Sequence, residues 1–170
     1  MTGSLTGKVF EAEVRNSLQA FRETHSSFFY MRLSDYRSWL AADKRLVAPR
    51  QPADFLAVYQ GATYFFECKS TKNPNGWNTT YLKPHQRDSL NWLSDAGGHA
   101  WILLRDHSVP YHNRAWAISI KQFEFIVKSL PITRVSVPFS TLDSVAVPLP
   151  LRVGKIWGFE VVFGDARWLK

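Results

Sequence analysis

Asp54 and Glu67 are separated by twelve residues, and Lys69 follows Glu67 with only Cys68 between them. Side chains alternate along an extended chain, so Glu67 and Lys69 share one face while Cys68 takes the other. The runs ADFLAVY (53–59) and ATYFFECKS (62–70) flank Gln60-Gly61, which reads as a two-residue hairpin turn. That turn sets Asp54 directly opposite Glu67, with Cβ atoms about 4.5–5.5 Å apart. Two carboxylates that close repel unless a cation lies between them. Oxygen ligands with room for water suit Mg²⁺, for which Mn²⁺ can substitute. Lys69, one step along the same face, is placed to stabilise charge developing on a phosphate or to orient a water. A Glu-x-Lys pair is equally what a solvated strand face with a weak surface ion pair looks like. Against that, Glu67 and Lys69 end an aromatic run, Tyr64-Phe65-Phe66, where a merely solvated strand gains nothing from breaking the pattern.

The elements that must hold these residues follow from periodicity. Phe10, Val14, Leu18 and Phe21 recur at helical spacing and predict an amphipathic helix over 7–24, capped by Thr6 or Ser4. FFYMRL (28–33) reads as a strand, and the basic, polar stretch 34–50 as a connection that is partly helical. After the hairpin, TKNPNGWNTT (71–80) is a loop by composition. Pro84 opens a helix over about 84–96, which Gly97-Gly98 stops. AWILLR (100–105) is nearly all apolar, as expected of a strand covered on both faces, and AWAISI (115–120) is a further strand candidate. Ser119 and Gln122 form the pattern of a capping box for a helix reaching Leu130. Four prolines then punctuate a tail that reads as a β-rich extension over 131–170. The order describes an α/β domain with a mixed central sheet flanked by helices.

Composition bounds the rest. With 170 residues, 45% of them hydrophobic and 15% aromatic, the chain is long enough for one domain with a core and too apolar for disorder. One cysteine excludes a disulfide framework within the chain and a Cys-rich zinc site. No apolar run approaches the roughly 18 residues that span a bilayer, and the first residues carry no signal-peptide pattern, so a soluble, cytoplasmic protein is expected. Net charge is +7 with a pI near 9.7, a footprint shared by nucleic-acid binders and by generic basic proteins. Cys68 reads as a small buried hydrophobe, and His107 with His112 as loop residues rather than a metal pair.

Taken in order, these motifs resemble the PD-(D/E)XK nuclease superfamily, and more closely its Holliday-junction resolvases of the RecU and archaeal Hjc kind, as also carried by phages. The match runs from Gly7-Lys8-Val9-Phe10-Glu11 through Asp54, Glu67 and Lys69 to His85-Gln86, and ends at Gly97-Gly98 with the apolar strand after it. It covers about residues 7–105. Ala53 separates Pro52 from Asp54, whereas the superfamily places its proline immediately before the aspartate. The resemblance implies a restriction-endonuclease-like fold and a set of metal ligands: Asp54, Glu67, the Cys68 carbonyl, and Glu11 directly or through water. It also implies that Lys69 is the catalytic lysine and that Gln86 supports the site or contacts phosphate. Glu11 is preferred to its neighbour Glu13 by motif order alone, and Gln86 reads equally as a surface residue of a first helical turn.

Lys72, Lys83, Arg87 and Arg50 flank the site in sequence and could contact DNA phosphates, or be ordinary surface charges. The stretch 34–50, with Arg37, Trp39, Lys44 and Arg45, lies where RecU-type relatives carry a projection that enters the junction; a surface helix packed through Trp39 reads it as well. The resemblance therefore implies a Mg²⁺-dependent, structure-selective endodeoxyribonuclease that resolves four-way junctions by paired nicks, as a homodimer on branched DNA. Two other readings stand beside it: another nuclease of the superfamily acting on duplex DNA, and a nucleic-acid-binding module that keeps the fold without cutting.

Overall fold

The structure, a computed structural model, describes residues 5–33, 51–110, 113–131 and 135–164. Its framework is a six-stranded mixed sheet. Helix α1 (Leu5–Thr24) leads into the edge strand β1 (Phe29–Arg32), and β2 (Phe55–Tyr59) and β3 (Ala62–Thr71) form the hairpin. A two-residue strand β4 (Trp77–Asn78) and a 3-10 turn (Thr79–Tyr81) precede α2 (Pro84–Asp95). Then come β5 (His99–Asp106), β6 (Arg114–Ser119), α3 (Ile120–Ser129), β7 (Ser136–Val137), α4 (Phe139–Val145) and β8 (Val147–Pro148). The described chain closes with β9 (Leu151–Arg152), β10 (Ile156–Trp157) and the short α5 (Glu160–Phe163). Strand order is β1-β2-β3-β5-β6-β8. Only β3 and β5 are parallel, because α2 carries the chain back across the sheet between them, as a parallel crossover requires.

Side-chain alternation sorts the core onto two faces. Phe66 and Cys68 of β3, Leu103 of β5 and Ala117 of β6 pack with Phe10, Val14, Leu18 and Phe21 of α1. Ile102 and Leu104 of β5 and Trp116 and Ile118 of β6 pack instead with Leu90 of α2 and Phe123 of α3. Glu67 and Lys69 alternate with Phe66 and Cys68, which turns them toward the α2 face. The hairpin register is the one the turn predicts: Tyr59 pairs with Ala62 and Phe55 with Phe66. Gln60 and Gly61 have φ of 49° and 79°, the two positive values of a type I′ turn.

The sequence expectation for α2 holds, with Pro84 in the first turn and Gly97, at φ 92°, just past the end. In α3, Ser119 Oγ accepts from the Gln122 N–H and Gln122 returns a bond to the Ser119 N–H. Helix α1 starts at Leu5, so Thr6 lies inside its first turn instead of capping it; Ser4 lies outside the described residues. In the tail, among its described residues, each strand is two residues long, and α4 and α5 hold most of the regular structure. Its Leu149, Trp157, Phe159, Val162 and Phe163 are buried in the same core as α1. Among the described residues no helix is long and apolar enough to cross a membrane.

Candidate active site

Asp54 stands one residue before β2, where the backbone turns. Its N–H donates to the Phe66 carbonyl at 2.9 Å, while its own carbonyl accepts from the Leu33 N–H at 2.8 Å, just past β1. A regular strand residue directs both groups to one neighbour. Here they part, and the Asp54 carboxylate takes the Cys68 N–H of β3 at 2.7 Å. That bond carries the side chain across to β3, beside Glu67. Glu67 is 3% exposed, and its Oε1 accepts from Lys69 Nζ at 2.5 Å and from Gln86 Nε2. Gln86 Oε1 accepts in turn from Lys69 Nζ and from the Lys83 N–H, each at 3.1 Å. One glutamine thus satisfies the start of α2 and ties that helix to both charged groups of β3.

Burial makes this arrangement costly for negative charge. Asp54 is pushed from 3.8 up to about 8, first by burial and then by Glu67, with Glu11 adding to it; the Cys68 N–H and Lys69 work the other way. Burial raises Glu67 as well, against the opposing charge and hydrogen bond of Lys69. The Cys68 thiol, buried beside these carboxylates, is held well above its ordinary range and stays protonated. Two hard oxygen donors brought side by side, both raised from the ordinary carboxylate range by burial, fit a divalent cation. Asp54 and Glu67 would hold it. Among the described residues no three His, Cys, Asp or Glu side chains form a metal-binding group, and Mg²⁺ commonly takes one or two carboxylates with water completing its shell.

Glu11 reaches this region from α1, on the other sheet face. It contributes charge to Asp54 and Glu67, but its carboxylate is engaged by Arg32 Nη2 at 2.7 Å, which separates it from direct partnership with them. Glu13, its neighbour in sequence, is 8% exposed and pairs with Arg105 on β5, away from the site. Helix periodicity alone could not rank these two glutamates, whose partners differ. Arg32 itself escaped the sequence reading. It lies on β1 opposite Phe55, next to Asp54, and the stretch between β1 and β2 carries no turn signal that would set this register.

The expected phosphate contacts divide. Lys72, beyond the end of β3, and Lys83, before α2, are exposed. Arg87 is instead committed within the fold: its Nε donates to Glu124 Oε1 at 2.6 Å, its Nη2 bonds the other oxygen, and it lies 5.7 Å over the Phe123 ring. Arg87 and Glu124 line an open groove of about 720 Å³ between α2 and α3, outside the carboxylate cluster. Arg50, Lys44, Arg45, Arg37, Trp39 and His112 lie outside the described residues.

Similarity to known proteins extends over most of the chain. The model of the family RecU, "Recombination protein U", matches residues 5–159. The Holliday junction resolvase RecU of Shouchella clausii is 38% identical over 52 residues, which is 31% of this chain and 25% of that protein, so the match spans a quarter of the relative's length. A solved structure of Archaeoglobus fulgidus Hjc, a Holliday junction resolvase from an archaeal hyperthermophile, is similar with a TM-score of 0.48 and 13% identity, covering 80% of this chain and 93% of that one.

Proposed function

This chain belongs to the RecU family, Recombination protein U, and on that premise we propose that it is a divalent-metal-dependent endonuclease that resolves four-way DNA junctions by paired nicks. The observation that carries the proposal is the buried set of Asp54, Glu67, Lys69 and Gln86, in which two carboxylates share the single ammonium of Lys69, itself bound to Glu67. Bound Mg²⁺, or Mn²⁺ in its place, would supply the charge that polarises the phosphodiester and acidifies water. Asp54 and Glu67 would hold that ion, and the Cys68 N–H fixes the Asp54 carboxylate in place. Lys69 stabilises negative charge as it develops on the phosphate, a role that needs its ammonium fixed beforehand. Gln86 does the fixing, since its carbonyl oxygen accepts from Lys69 Nζ while its amide holds Glu67. Lys72 and Lys83 are the described cations best placed to meet the DNA backbone.

A duplex-cutting relative of the superfamily and a non-cleaving binder remain the competing readings, and the filled Asp-Glu-Lys set favours cutting over the second. Two opposed nicks on one junction call for two such sites related by a two-fold axis, so the working species is a homodimer. A DNA substrate is in keeping with the cytoplasmic location expected from the sequence. The test is substitution: Asp54→Asn and Glu67→Gln should each abolish Mg²⁺-dependent cleavage of a four-way junction while leaving junction affinity within about tenfold, or 1.4 kcal/mol. Cleavage by either variant at the wild-type rate would remove the assignment.

A further inference from the structure

Glu11 and Glu13 leave α1 about 200° apart, as any two residues at that spacing do. Glu11 pairs at 2.7 Å with Arg32, whose neighbour Leu33 donates its N–H to the Asp54 carbonyl at 2.8 Å, whereas Glu13 is the hub of a buried network. Glu13 Oε2 accepts from Arg105 Nη1 at 2.8 Å and from Trp157 Nε1 at 3.2 Å. One turn along the helix, Ser17 Oγ accepts from the Trp157 backbone N–H at 2.8 Å and donates to the Glu13 carbonyl at 2.7 Å. The Arg105 guanidinium lies 4.6 Å over the Trp157 ring, and Phe10 meets that ring edge-on with centroids 6.3 Å apart. Arg105 Nη2 also donates to Asn113 at 3.2 Å. Trp157 therefore grips α1 at positions 10, 13 and 17, a single helical stripe beginning next to Glu11.

Stability alone does not account for this network, because a buried ion pair seldom outperforms apolar packing of the same volume. It does supply direction. Apolar contacts from Phe10, Val14 and Leu18 tolerate small slides and rotations, whereas three hydrogen bonds and a stacked cation are met together in one pose of the helix. We infer that Arg105 and Trp157 are positioning residues, which lock α1 onto its own face of the sheet so that Glu11 stands at a fixed distance from Asp54 and Glu67. The inference rests on the nuclease reading above. It gives β10 a share in the active site, although no residue of that strand approaches the reacting atoms.

Trp157→Phe keeps the ring and removes the indole N–H, and Arg105→Met with Glu13→Leu removes the ion pair without stranding a charge. Each should weaken Mn²⁺ binding to the DNA-free protein about tenfold by calorimetry, with a matching fall in single-turnover cleavage and unchanged junction affinity. Added to Glu11→Gln, Trp157→Phe should change nothing more, since both act through one carboxylate. Leu142→Ala, a core truncation remote from α1, should lower the melting temperature and leave Mn²⁺ affinity alone. Wild-type Mn²⁺ binding in Trp157→Phe, full additivity with Glu11→Gln, or an equal loss in Leu142→Ala would each overturn the inference while the nuclease reading stands. A wild-type protein that neither binds Mn²⁺ nor cuts would overturn both.

Discussion

Asp54 keeps its proton over a range where an ordinary aspartate has lost it, and that has a measurable consequence. Its pKa rises from 3.8 to about 8 on folding, so between those values the folded protein binds more protons than the unfolded chain. Stability of the metal-free protein must then fall as pH rises through that window, and Glu67, also raised, acts in the same sense. His99 and His107 are lowered by burial and act in the opposite sense, so the informative quantity is a difference between two proteins. Urea unfolding in EDTA should show Asp54→Asn gaining on wild type from pH 5 to about pH 8, and saturating Mg²⁺ should erase that gain, because the ion binds the ionised carboxylate. Parallel curves would mean that Asp54 is not desolvated. Lys69 offers a separate check. Lys69→Ala should slow the chemical step on saturating junction by more than it weakens binding, because negative charge on the phosphate grows toward the transition state. A loss recovered fully at high enzyme concentration would make Lys69 a simple phosphate contact.

At the level of elements, the hairpin decides the site. Gln60 and Gly61 fix the pairing of β2 with β3, and a slip of one residue would turn Glu67 and Lys69 into the opposite face. Gly61 sits at φ 79°, so Gly61→Ala should cost about 1–2 kcal/mol of stability in a thermal melt. No change would show that the turn does not hold that conformation. Because a two-residue turn leaves only one register, Asp54, Glu67 and Lys69 were legible as a group before any coordinates. So were α2 and α3, whose ends carry Pro84, Gly97 and Ser119. Arg32 was not, since β1 meets β2 across a stretch without turn chemistry. The pairing of Arg87 was not legible either, since its partner Glu124 lies on a helix 37 residues away. The tail hid its role because two-residue strands and a four-residue helix are too short for either period to show. Its packing on α1 depends on single residues, Trp157 above all.

For the molecule as a whole, the +7 charge coexists with a site that pairs two carboxylates, Asp54 and Glu67, so under the proposed function the cations that meet DNA lie around it. Binding led by backbone contacts should be steeply salt-dependent. With about six to ten phosphates neutralised, affinity should fall by roughly 10³–10⁵ between 50 and 200 mM salt, and a flat titration would return the charge to a generic surface property. A dimer that holds two arms at once gains effective concentration from a junction and not from a linear duplex, so junction binding should be at least about 100-fold tighter. The most direct measurement of the central claim is single-turnover cleavage, with Mg²⁺, of a strand-labelled four-way junction beside a linear duplex of the same sequence, products mapped to the nucleotide. Paired nicks in opposing strands of the junction, with the duplex intact and both products lost in Glu67→Gln, are the expected result. Double-strand breaks in the duplex at a comparable rate, or cleavage that survives Glu67→Gln, would contradict it.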